Sequence, residues 1–146
     1  MSQLPLARWE KLWHAATGVT PPPACFGHLV NRYSEPHRHY HTQVHICDCL
    51  DLFDTVRESV GAPAAVELAI WFHDAIYDPR AGDNEERSAA WAQDWLRQAG
   101  ANPALVDAVT NLILTTKSHD AGAHVDAPWL VDVDLSILGQ APERFW

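Results

Sequence analysis

The sequence predicts an all-α fold, about six helices packed around one core. Three observations predict it. Apolar residues recur at i, i+3, i+4 and i+7, the spacing of one helical face. Proline and glycine fall at the ends of these periodic stretches, where helices start and stop. No stretch alternates apolar and polar residues with the period of two that a half-buried strand needs. At 146 residues the chain reads as a single domain, 1–146, with enough length for a sizeable core.

Each helix has its own justification. Leu6, Trp9, Leu12 and Trp13 give a stripe between Leu4 and Ala16, closed by Gly18. The run Thr20 to Pro23 breaks the chain, and Phe26 to Tyr33 reads as a short helix. Ser34-Glu35-Pro36 reads as a helix start, with proline suited to the first helical position. The helix it opens is expected from about Arg38 to Ser59, with Gly61 after it. Pro63 opens the next, and Pro79 stops it. Asp83 and Glu86 have capping-box spacing ahead of a helix that buries Ala89, Ala92, Trp95, Leu96 and Ala99 and stops at Gly100. Asn102-Pro103 starts another, with Leu105, Val109, Leu112, Ile113 and Thr116 inside. Lys117 to Val125 reads as a loop. Asp126 and Pro128 begin a last helix that runs to about Leu138, with Gly139 as its stop.

Composition narrows the function. A formal net charge of −9 disfavours a nucleic-acid polymer as partner. No apolar run approaches a membrane span and the N-terminus lacks a signal pattern, so a cytoplasmic location is the default expectation. Three cysteines with no CxxC read as reduced core thiols. Trp129, Phe145 and Trp146 are apolar residues that a second copy would cover, so a homo-oligomer stays open.

Three clusters carry candidate chemistry. The first is WFHDAIYD, Trp71 to Asp78. Val66, Ala69, Ile70, His73, Ile76 and Tyr77 share one helical face, which puts His73 in mid-stripe with Asp74 beside it. An ionised carboxylate there is costly unless paired or bound to a metal. The second is HRHYHTQVHICD, His37 to Asp48. On a helix His41, His45 and Asp48 fall at i, i+4 and i+7, and the first two have the spacing of a helical His pair on one metal. The same face continues to Leu52, so at least one of the two points inward. His37 and His39 read as surface residues. The third is WLVDVDLSILG, Trp129 to Gly139. At about 100° per residue, Leu130, Val133, Ile137 and Leu138 define an apolar face with Asp134 near its centre and Asp132 opposite. Glu85 and His119 also point inward, each on its own more often a structural residue than a functional one. Asp78 is another carboxylate near the expected metal.

The order His41, His73-Asp74, Asp134 resembles the H…HD…D signature of the HD-domain superfamily of metal-dependent phosphohydrolases. The phrases RHYHTQVH, WFHDAIYD, DNEERSA, TTKSH and VDVDLSILG look like a branch of small predicted bacterial members, over about Arg38 to Gly139. The resemblance implies an HD-type helical bundle around a metal site. It implies His41, His73, Asp74 and Asp134 as metal ligands, and His119 near a second metal or the phosphate. Glu85 matches an acidic position of the branch. Where the superfamily often has a glutamate three residues after the doublet, this chain has Tyr77, which moves the general-base role to Asp78 or Glu85. The branch usually continues past the Leu138-Gly139 phrase, which implies a C-terminal part beyond Trp146.

The implied reaction is hydrolysis of a phosphate ester or nucleotide by metal-activated water. Two imidazoles and two carboxylates suit a divalent Mn, Fe, Co, Ni, Zn or Mg ion. Arg38, Lys117 and His119 are the candidates to hold phosphate. Two rival readings stay open. One is a di-iron HD oxygenase that takes extra ligands from His45, Asp48 and His119; the other is a non-catalytic metal- or nucleotide-binding module.

Overall fold

The computed structural model describes residues 3–38, 42–118 and 125–140, with the side chains of 118 and 137–140 outside that set. Among the described residues the fold is all-α, with no strand. The helices are α1 (Leu6–Thr17), α2 (Pro23–Tyr33), α3 (Gln43–Val56), α4 (Pro63–Phe72), α5 (Asn84–Gln98), α6 (Pro103–Ser118) and α7 (Ala127–Gln140). A single 3-10 turn, Arg57–Ser59, follows α3.

The punctuation reads through to the structure at several points. Pro63 and Pro103 sit at the first positions of α4 and α6. Gly18 (φ 79°) and Gly100 (φ 73°) end α1 and α5 in the left-handed conformation that glycine adopts without a Cβ penalty.

Other expectations differ: α2 starts at Pro23 rather than Phe26, and α6 runs on through Lys117 and Ser118, which read as loop. Ser34-Glu35-Pro36 does not open a helix; Ser34 is the C-cap of α2, and α3 starts only at Gln43, after Thr42. The helix that was expected to carry His73 through to Tyr77 ends at Phe72, with His73 as its C-cap. Asp83 occupies the N-cap of α5 but makes no side-chain cap, and Glu86 pairs with Lys117 Nζ at 2.6 Å instead of reaching back. Gly139 does not stop α7, which includes it.

α4 is the central element. Its residues Ala65 to Phe72 are all buried, and α1, α3, α5, α6 and α7 all pack on it. A helix enclosed on every side has to be apolar all round rather than striped. Its one acidic residue, Glu67, is buried but met by Arg8 Nε at 3.0 Å and by the Arg57 guanidinium. Arg8 also forks onto Asp54, with both nitrogens 2.8 Å from carboxylate oxygens. Around Trp71 the rings of Trp9 and Trp13 stack in a tilted chain, with Trp9 at 5.2 Å from Trp13 and 5.1 Å from Trp71.

One carboxylate latches α7 to the start of α4. Asp126, buried, accepts the Gly61 and Ala62 backbone N–H groups at 3.0 and 2.7 Å. These are donors at a helix N-terminus that have no partner within the helix. The close approach uses the glycine: a Cβ on Gly61 would lie 3.3 Å from Asp126 Oδ1. Of the inner face expected for α7, Leu130, Val133 and Asp134 are buried and Asp132 is exposed; the side chains of Ile137 and Leu138 lie outside the described residues. No helix of the described residues is long and apolar enough to cross a membrane.

Candidate metal centre

His45, His73, Asp74 and Asp134 converge. Each offers a ligand atom, and all four atoms lie within 4.8 Å of one another. They come from three places in the chain: the first turn of α3, the turn that follows α4, and the middle of α7.

The turn after α4 is built by side chains that take its carbonyls. The last carbonyls of a helix have no intrahelical partner. Here His73 Nδ1 donates to Ile70 O at 2.8 Å, and Tyr33 Oη donates to Trp71 O at 2.6 Å. Beyond them Arg38 donates from one terminal nitrogen to Asp74 O and from the other to Ala75 O, each at 2.7 Å. Ser88 Oγ donates to Ile76 O at 3.2 Å and accepts the Ile76 N–H at 3.0 Å. In a continuing helix His73 and Asp74 would point about 100° apart. Leaving the helix at Phe72 frees both to face the same cluster.

At the cluster the imidazoles and carboxylates interleave. Asp134 Oδ1 is 3.0 Å from His45 Nε2 and 3.3 Å from His73 Nε2. Asp74 Oδ2 is 3.5 Å from His45 Nε2 and 3.2 Å from His73 Nε2. The ring centroids of the histidines are 5.7 Å apart. His45, His73 and Asp134 are buried; the Asp74 side chain is 15% exposed and marks the open side.

The donor set fits a divalent ion. A carbonyl only accepts, so His73 Nδ1 carries the proton, which leaves the Nε2 lone pair of a neutral ring facing the carboxylates. Lone pair against carboxylate is repulsive unless a cation lies between them or the ring holds a second proton. Burial pushes the His73 pKa down, but Asp74 and Asp134 overcome it and hold the group well above its usual value. That net direction records how strongly this arrangement calls for positive charge. Two imidazoles with two carboxylates is a mixed N/O set suited to borderline and hard ions. Cys49 Sγ, 3.7 Å from His45 Nε2, closes the buried side; burial first, and then Asp134 and Asp74, hold its thiol protonated.

The other expected site residues are placed differently. His41 and His119 lie outside the described residues. His45, read with His41 as a helical pair of metal-binding spacing and as an extra ligand of the di-iron alternative, is the α3 histidine of the cluster. A signal for it was present, since His45, Ile46, Cys49, Leu50 and Phe53 form the buried stripe of α3. Arg38 is buried and engaged with Glu35 and two backbone carbonyls, a positioning role rather than an open phosphate contact. Lys117 binds Gly82 O and Glu86 on the surface. Asp78 is exposed, with Oδ1 accepting the Arg80 N–H at 2.9 Å. Glu85 is half-buried in the first turn of α5. Among the described residues neither Asp78 nor Glu85 contacts the four donors.

No family model, curated protein or solved structure matches the chain.

Proposed function

We propose that the chain is a metal-dependent phosphohydrolase of the HD type, acting on a phosphate monoester or nucleotide. The observation that carries the reading is the convergence of His45, His73, Asp74 and Asp134. The order histidine, His-Asp doublet, aspartate is kept with His45 as its first member.

The chain's own residues have distinct parts in this proposal. His45 and His73 present neutral nitrogens to a divalent ion (Mn, Fe, Co, Ni, Zn or Mg), and Asp74 and Asp134 neutralise its charge. A bound ion would supply a Lewis acid and lower the pKa of water to near neutrality. The Ile70 carbonyl fixes the His73 tautomer, and Arg38 fixes the turn that aims Asp74. The partly exposed side at Asp74 is where a phosphorylated substrate approaches. The enclosed side, walled by Cys49 and α3, keeps bulk water out.

The test uses the full chain, stripped by chelation and reloaded with Mn, Co or Zn. The expected result is one ion per chain, hydrolysis of some phosphomonoesters or nucleotides, and loss of both ion and turnover in Asp134→Ala and His45→Ala. Turnover that survives Asp74→Ala overturns the mechanism. Metal content unchanged in both His73→Ala and Asp134→Ala overturns the site.

A further inference from the structure

Residues 76–80, directly after the turn that carries His73 and Asp74, form one wall of a cavity of about 470 Å3. Arg32 of α2, Arg87 of α5, Arg80, His37 and Tyr77 line it with Asp78. The chain has ten lysines and arginines against nineteen acidic residues. Three of those ten cations meet at this cleft, against one lining carboxylate.

Local partners do not cancel that charge. Among the described residues the Arg80 and Arg87 side chains make no hydrogen bond or ion pair. Arg32 has Glu35 Oε2 only at 3.7 Å, and its guanidinium stacks 5.7 Å from the Trp91 ring. Arg38, buried beside the wall with its guanidinium 5.7 Å from the Tyr77 ring, is paired with Glu35 at 2.9 Å and is not counted among these charges. Isolated surface arginines are ordinary. Several like charges held around a concave surface focus a field that favours an anion.

The wall is also fixed. His37 Nε2 donates to Tyr77 O at 2.9 Å, and the two rings stack at 6.1 Å with an interplanar angle of 11°. Asn84 clasps Asp78, accepting its N–H at 3.0 Å and donating to its carbonyl at 2.9 Å. A cavity of this size suits a small molecule. Guanidinium forks match paired phosphate oxygens, where an ammonium would act only as a point charge.

We propose that this cleft binds the phosphate groups of a small phosphorylated ligand, at a site separate from the four-donor cluster. The test is calorimetric titration of the full chain with orthophosphate, diphosphate and sulfate, at fixed ionic strength and with a chelator present. The chelator removes any contribution from a metal, so failure of the hydrolase reading leaves this result intact.

Saturable one-to-one binding is expected, with diphosphate tighter than orthophosphate. Orthophosphate as the tighter probe assigns the cleft to free phosphate rather than to a ligand's phosphate chain and overturns the proposal as stated. The double variant R80Q/R87Q changes two exposed side chains and should bind diphosphate at least about tenfold more weakly. Arg87→Lys keeps the charge, loses the fork and should fall between. Asp134→Asn, which alters the cluster, should bind diphosphate as the parent does. Absence of saturation at about 10 mM, well above the dissociation constant of a specific site, overturns the proposal. So does equal binding by R80Q/R87Q, or loss of binding in Asp134→Asn.

Discussion

Arg38 offers the sharpest test of how the metal-centre turn is held. Its side chain is 0% exposed, and it donates to the carbonyls of Asp74 and Ala75 at 2.7 Å each. Arg38→Met keeps much of the volume and removes all donors. The buried carbonyl of Ala75 and the partly buried one of Asp74 then lose their guanidinium partner, at about 1–3 kcal/mol each as an upper range. The lost pair with Glu35, which is 27% exposed, adds less than about 1 kcal/mol. The expected loss is therefore about 2–7 kcal/mol, a large share of the roughly 5–15 kcal/mol typical of a folded domain. Arg38→Lys keeps the charge but cannot fork across two carbonyls, so about half the loss is expected. Urea unfolding of the metal-free proteins measures both, as midpoint shifts at constant slope. Metal affinity is the second readout. Arg38 acts on Asp74 through the backbone, and supporting contacts of this kind are worth roughly 10–100-fold in affinity. An Arg38→Met protein within about 1 kcal/mol of the parent, a change ordinary for any substitution, would refute the reasoning. So would one that binds metal as tightly as the parent.

Two further expectations follow from the same structure. Asp126→Ala removes the acceptor for two backbone N–H groups at the start of α4, so a loss of about 2–4 kcal/mol is expected by urea unfolding, and a change under about 0.5 kcal/mol would show that the latch carries no load. Burial pushes the Cys25 thiol up to about 12 and the Cys49 thiol well above its usual range. Burial and then Asp51 and Asp48 raise the Cys47 thiol too, but it is only half-buried, so a disulfide reagent at pH 8 should label it first and slowly in native protein and reach the other two only in denaturant. Rapid labelling of all three without denaturant would contradict the packing around α2 and α3.

The all-α class and most helix boundaries were legible because proline, glycine and apolar periodicity are local signals. Asp134 was legible for a related reason: a carboxylate centred on an apolar face stands out on one helix alone. His45 was obscured by the neighbouring histidines. Spacing puts His41 and His45 on one face alike, and only the resemblance favours His41, which lies outside the described residues; His45 sits in the first turn of α3, which begins at Gln43. The exit of the chain from helix at Phe72 depends on Arg38, Tyr33 and Ser88, which arrive from three other segments, so no local pattern announces it. The role of Arg38 was hidden likewise, because a lone arginine in sequence does not reveal which carbonyls it reaches. Glu67 carries no local signal either, because its partners Arg8 and Arg57 meet it only in the fold.

The place where α4 stops has an electrostatic consequence. Aligned peptide dipoles leave the C-terminal end of a helix with about half a negative charge. That end lies at His73, so the backbone of the most enclosed helix adds its field to those of Asp74 and Asp134. An anionic guest entering this pocket first would meet repulsion from all three. If the cluster holds a metal as proposed, the positive ion should load before any phosphorylated compound, because the reverse order meets this combined negative field.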